Sequence, residues 1–175
     1  MEDLAEAIVL DREALALRPQ GHPNRSVSLG NIAGDLSTRY DQLGAMEDLA
    51  ESIVLAREAL DPRLQGHPGR SNSLNNLVVQ LSTRYDQLGA REDLHGAVVH
   101  GREALALHPQ GHPDRSPSLG NLAVDLSTRY KQLGVMEDLA EAIVLALCPQ
   151  GHIIRWASLN GFAVDLSTRC KQLGA

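Results

Sequence analysis

Histidine is the residue type in this chain whose spacing first suggests chemistry. The tripeptide Gln-Gly-His occurs at residues 20–22, 65–67, 110–112 and 150–152, and His95 and His100 add two further imidazoles. Neutral imidazoles ligate zinc, and two sharing one ion each lie ~2 Å from it. If the four loops stack in register, successive copies are separated by about 10 Å, one helical layer. A shared metal is therefore not expected. The motif reads better as a loop device, in which Pro19 stops a helix, Gly21 supplies permissive backbone angles and Pro23 holds the approach to the next helix. His95 and His100, five residues apart, fall on different faces of a helix and read as surface substitutions.

A second candidate is the run Ser-Thr-Arg at residues 37–39, 82–84, 127–129 and 167–169. It invites comparison with an anion or phosphorylation site. Arg39 also flanks an apolar stripe, where it is expected to pair with acidic side chains of a neighbouring helix, a contact worth ~0 to 1 kcal/mol if exposed. Arg12-Glu13, Arg57-Glu58 and Arg102-Glu103 are read in the same way, as a solvated face. Ser, His and Asp recur, yet no Gly-x-Ser-x-Gly turn, phosphate loop, His-Glu-x-x-His or paired-cysteine motif accompanies them. The expectation is no catalytic residue, no metal and no cofactor, hence no enzyme.

The elements that carry these residues follow from an internal repeat. With Met1, Met46, Arg91 and Met136 in register, the chain aligns with itself at a period of about 45 residues, as copies 1–45, 46–90, 91–135 and a shorter 136–175. Each copy holds two helical patterns. In the first, Leu4, Ala7, Ile8, Ala14 and Leu15 share one face, Glu2 and Asp3 favour the N-terminus, and Pro19 ends the run. In the second, Leu29, Ile32, Ala33, Leu36, Tyr40 and Leu43 form the stripe, with Ser26 as N-cap and Gly44 as the C-terminal stop. Ser116-Pro117 reads as an N-cap followed by a proline at the first helical position. Neither helix can bury its face alone, so stacking of helix pairs is expected. That gives an all-α, right-handed superhelical solenoid of about eight antiparallel helices, one repeat domain over 1–175.

Bulk properties narrow the partners. A 43% apolar, 22% charged chain of 175 residues has the composition of a soluble globular protein. A net charge of −6 leaves no footprint for nucleic acid or for anionic lipid. The apolar stretch from Ala142 to Cys148 is far short of the ~20 residues that span a bilayer, and Met1 is followed by acids rather than a basic leader. Cys148 and Cys170 form no disulfide or zinc pattern. A soluble, cytoplasmic protein is expected. With only 3% aromatic residues, the core must be aliphatic.

The stretch SLNNLVVQLSTRYDQLGAREDLHGAVVHGREALALHPQGHP, residues 73–113, resembles the tetratricopeptide repeat: Leu74, Asn76, Leu77, Gly89, Ala97-Val98, Ala104-Leu105 and Pro109 occupy the matching places. The Asn-Asn-Leu and His-Pro features are most similar to the kinesin-light-chain-like subfamily and related fungal tandem arrays. In this frame the helix-pair units are 26–63, 71–108 and 116–148, with half-units at 1–18 and 156–174. Between Leu77 and Gly89 each unit is about one turn longer than usual, extending its first helix by ~5 Å. The aromatic common in the second helix is replaced by Asp11, Ala56 and Gly101, which together with Gly96 implies a looser core.

The resemblance implies that the longer helix lines a concave groove, where positions matching Gly30, Asn31, Gly34, Ser37 and Thr38 meet a bound peptide. Asn31, Asp35, Thr38 and Gln42 are spaced along a helix face opposite the apolar stripe, and the next column carries Val79, Val124 and Val164. Over the copies the groove candidates are Asn31, Thr38, Asn75, Asn76, Val79, Ser82, Thr83, Asn121, Val124, Ser127, Thr128 and Asn160. Asparagine amides can pair with an extended peptide backbone and valines give shallow apolar contact. The valines equally suit packing of one helix on the next. Gly30, Asn75, Gly120 and Asn160 stand where the carboxylate-clamp subclass has Lys and Arg, which disfavours binding of chaperone tails.

Two functions follow as expectations. One is a non-enzymatic scaffold holding a peptide or partner protein in the groove. The other is a structural spacer or self-associating arm of a larger protein, since neither end of the array carries a polar cap. In copy four, Ile153, Ile154 and Trp156 make a more apolar edge.

Overall fold

The computed structural model describes residues 2–60, 69–108, 111–113 and 115–147. Among them are seven α-helices and no strand: α1 Glu2–Ala16, α2 Arg25–Leu43, α3 Met46–Ala59, α4 Arg70–Leu88, α5 Arg91–Leu107, α6 Arg115–Leu133 and α7 Met136–Leu147. The helix expected over 156–174 lies outside the described residues. Helices α2, α4 and α6 are each 19 residues long, about 28 Å at 1.5 Å per residue.

Glycine sets the breaks between helices. Gly44, Gly89 and Gly134 adopt φ of 69°, 68° and 69°, where any side chain is strained. Each donates its backbone N–H to the carbonyl of Tyr40, Tyr85 or Tyr130 at 2.7 Å, closing the last turn of α2, α4 or α6. The next helix begins two residues later, with Glu47-Asp48, Glu92-Asp93 or Glu137-Asp138 in its first turn, where carboxylates meet the positive end of the helix dipole.

The start of the longer helix differs from the sequence expectation. Asn24, not Ser26, is the N-cap of α2, and it makes no side-chain capping bond; Ser26 is inside the first turn and buried. Likewise α6 opens at Arg115, so Pro117 is its third residue rather than its first. The first turn still tolerates it, because its backbone N–H groups have no partner within the helix.

Every helix packs against its neighbours in the chain, and α2 additionally touches α4, as α4 touches α6. Leu29, Ile32 and Leu36 of α2, Leu49 and Ile53 of α3, Leu74, Leu77 and Leu81 of α4, and Leu122 and Leu126 of α6 are fully buried. Each such side chain contributes ~1.5 to 3 kcal/mol. The looser packing expected around Gly101 is not found. Gly101 is buried, and a Cβ placed there would stand 3.3 Å from Leu122 Cδ1. The missing side chain therefore lets Leu122 of α6 close on the backbone of α5.

Three bidentate ion pairs fix the angle of each tight turn. Arg39 holds Asp48 through two bonds of 2.6 Å. Arg84 holds Asp93 at 2.7 and 2.5 Å, and Arg129 holds Asp138 at 2.6 and 2.6 Å. The partner is acidic and on the next helix, as the sequence suggests, but the contact is not a surface one: the aspartates are only 10%, 5% and 2% exposed. These forked, charge-assisted bonds account for the arginine of every described Ser-Thr-Arg run. Ion pairs between residues further apart in the chain join Arg12 to Glu51, Arg25 to Glu58, Arg70 to Glu103 and Arg102 to Glu141.

Candidate functional site

The contacts among α2, α4 and α6 create two adjoining depressions. The first, about 280 Å³, lies between the N-terminal halves of α2 and α4 and is lined by Ser26, Val27, Gly30, Asn31, Gly69, Asn72, Ser73 and Asn76. It brings Asn31 and Asn76 together, both exposed and able to donate and accept. The second, about 190 Å³, lies between α4 and α6 and is lined by Val78, Val79, Ser82, Thr83, Asp86, Asn121, Val124 and Asp125. Five of the residues singled out from the sequence, Val79, Ser82, Thr83, Asn121 and Val124, therefore share one surface.

The valine column lies outside the packing. Val79 is 47% and Val124 59% exposed, so neither cements one helix to the next; Val164 lies outside the described residues. The remaining candidates are distributed differently. Thr38 is exposed on α2, with its hydroxyl on the Gly34 carbonyl at 3.0 Å. Ser127 donates to the Ala123 carbonyl at 2.7 Å and Thr128 beside it is half-buried. Asn75 is held in the seam between α4 and α6, its Oδ1 accepting from the Ser118 hydroxyl at 3.0 Å. Asn160 lies outside the described residues.

Burial also reverses one expectation from periodicity. Asp35 belongs to a column placed opposite the apolar stripe, yet its counterparts 45 and 90 residues on, Gln80 and Asp125, are buried. They reach back across the helix layer. Gln80 donates its amide to the Ala33 carbonyl at 3.3 Å, and Asp125 Oδ1 accepts from the Ser82 hydroxyl at 2.7 Å. Gln80 Oε1 and Asp125 Oδ2 have no hydrogen-bond partner. Burial pushes the Asp125 carboxyl up to about 7; Ser82 acts against this and nearby Asp86 adds to it. Asp35 is also raised, by burial and then by Asp11. Sequence reasoning missed Asp125 and Gln80 because nothing in their own helix marks the seam.

Comparison with protein-family models, with curated proteins and with solved structures found no match to this chain.

The histidine loops behave as structural devices where they are described. Gly21 and Gly111 have φ of 91° and 92°, angles that glycine supplies without strain. His22 Nδ1 accepts the Asn24 N–H at 3.1 Å, and the His22 carbonyl accepts the Arg25 N–H at 3.0 Å. Both bonds turn the chain into α2. In copy three the His112 carbonyl accepts from Arg115 N–H at 3.1 Å, and the His112 ring stacks on His108 at 4.5 Å. His108 Nδ1 is 3.0 Å from Ser118 Oγ. Ser118 in turn donates to Asn75, so the trio ties α6 to α4 and to the end of α5. Among the described residues no group of three or more His, Cys, Asp or Glu is placed to hold a metal ion, and no helix is long and apolar enough to cross a membrane.

His100 is the other departure. It occupies the place of Leu10, Leu55 and Leu145 in the other copies and is half-buried, with its Nδ1 unpartnered at hydrogen-bond distance. Burial lowers its pKa, against the pull of Glu103.

Proposed function

We propose that this chain is a non-enzymatic interaction module, a tetratricopeptide-like solenoid of helix pairs whose inner helices α2, α4 and α6 hold an extended segment of a partner protein. The observation that carries the reading is the joining of exposed Asn31 and Asn76 in one depression with exposed Val79 and Val124 and half-buried Asn121 in the next. Amide groups spaced along such a surface pair with the backbone of a peptide, and the valines receive its side chains. Each of these three helices is tied to the helix that follows it by the Arg39, Arg84 or Arg129 staple, so little ordering entropy is lost on binding. No cofactor takes part, and the cytoplasm is the compartment that suits a sequence whose two cysteines follow no disulfide pattern.

A spacer function is favoured by a different observation: the same bidentate staple recurs at each of the three tight glycine turns, which suits a rigid arm of repeated length. The two are separated by quantitative capture from an extract of the source cells on the immobilised chain and on its N76A/N121A variant. Groove binding requires a band lost with the double substitution while the circular dichroism spectrum is unchanged. An unaltered set of captured proteins favours the spacer.

A further inference from the structure

We propose that the α4–α6 end of the groove accepts a lysine or arginine side chain of the bound segment, with Asp125 and Asp86 supplying the opposite charge. This rests on the groove reading above and adds to it the chemistry of one residue in the partner.

The first reason is an unmet bond. Asp125 lines the depression, is 3% exposed, and has one oxygen satisfied by Ser82 and the other by nothing. A buried carboxylate in that state lacks a donor, preferably a cationic one. The second is charge. Asp86 shares the same lining and acts electrostatically on Asp125, while no basic residue contributes to it. The arginines of these helices are engaged away from it: Arg25 with Glu58, Arg70 with Glu103, Arg39, Arg84 and Arg129 with their aspartates, and Arg115 with the Leu105 carbonyl. Lys131 is outside the lining. An acidic side chain would meet two carboxylates and be repelled.

Shape agrees with charge. At about 190 Å³ the depression is smaller than the ~300 to 1,000 Å³ of sites for drug-sized ligands, and suits one side chain. The exposed flanks of Val79 and Val124 can cover an aliphatic stem while its charged end reaches the carboxylates. The Asn31 and Asn76 pair lies one inner helix away, about 10 Å. An extended chain at ~3.3 Å per residue crosses that gap in roughly three residues, so backbone pairing there and the cation here fit a single segment.

The test uses the full chain, labelled with nitrogen-15, and acetylated, amidated pentapeptides Ser-Val-X-Val-Ser in which X is Lys, Arg, norleucine or Glu. At pH 8 and low salt, the Lys and Arg peptides are expected to shift the amide signals of Val79, Asn121 and Val124, binding roughly tenfold more tightly than norleucine, with Glu weakest. D125N and D86K should each remove most of the Lys preference and leave the norleucine peptide unchanged. Both substitutions have precedent in the fold, an amide at Gln80 and a lysine at Lys131 in the corresponding places. Equal binding of Lys and norleucine, or a Lys preference that survives both variants, overturns the proposal while leaving the groove intact. Shifts in none of these residues with any peptide overturn it together with the groove reading.

Discussion

The Ser82 hydroxyl on α4 donates to Asp125 Oδ1 on α6 at 2.7 Å, across 43 residues of chain. That bond joins two inner helices at the floor of the proposed groove, and it satisfies only half of a buried carboxylate. Stability should therefore depend on the charge of Asp125. Its folded pKa of about 7 lies above the ordinary 3.8, so between these values the folded state holds a proton that the unfolded state has lost. Stability falls as pH rises from about 4 to about 7 and stays reduced above. D125N keeps the acceptor for Ser82 and cannot ionise. Thermal melts should place D125N above the parent at pH 8, by a few degrees, and narrow that advantage at pH 5, where most of the titration between 3.8 and about 7 is still to come; a constant offset at both pH values would show that ionisation is not the cause.

His100 gives the opposite slope. Its lowered pKa means that the unfolded state binds a proton first as pH drops below the ordinary 6.5, so folding weakens in acid. Replacing it by the leucine of the other copies removes a ring nitrogen that has no hydrogen bond and faces Glu103 only at 3.9 Å, and adds apolar contact. H100L is expected to gain about 1 kcal/mol at pH 7.5 and more at pH 5.5, as read by urea denaturation. A loss at both pH values would mean that the packing around position 100 does not accept leucine.

The turn staples predict a large effect from one atom exchange. D48N leaves the Arg39 guanidinium facing a neutral amide and should cost about 2 kcal/mol at neutral pH. Arg39, chiefly through its hydrogen bonds, lowers the Asp48 pKa. The stabilisation is thus complete above the ordinary value of 3.8 and is lost as pH falls through the lower, folded value. The variant should show a shallower acid limb; parallel limbs would place the pair's contribution elsewhere.

Two glycines separate backbone need from space. Gly34 is within α2 and a Cβ there meets nothing within 4 Å, so G34A should stabilise by about 0.5 to 1 kcal/mol. Gly44 is equally unobstructed but has φ of 69°, and G44A should destabilise by about 1 kcal/mol or more. Denaturation midpoints moving in the same direction would contradict this division.

Much of the helical layout could be read in advance. The stripe of Leu29, Ile32 and Leu36 is the buried face of α2, and Gly44 stops it, because both depend on residues a few positions apart. The Arg39 pairing was legible in kind but not in depth, since solvent access to Asp48 is set by α2 and α3 together. Ser26 was misplaced as a cap because serine also suits the first turn, and only backbone angles separate these positions. Val79 and Val124 were ambiguous between core and surface, since periodicity fixes a face of the helix but not its neighbour. Asp125 was hidden for the same reason: a polar residue beside polar residues reads as solvated until α4 is packed against it.

The central claim is that a partner segment lies against α2, α4 and α6. It is tested most directly by placing a photo-crosslinking residue singly at Val79, Val124 or, as an outer control, Val54 of α3, all exposed in the free chain. After irradiation in an extract of the source cells, positions 79 and 124 should give the same adduct, mapped to one short segment, and position 54 should not. An adduct formed as well from position 54, or from position 54 alone, would contradict the account.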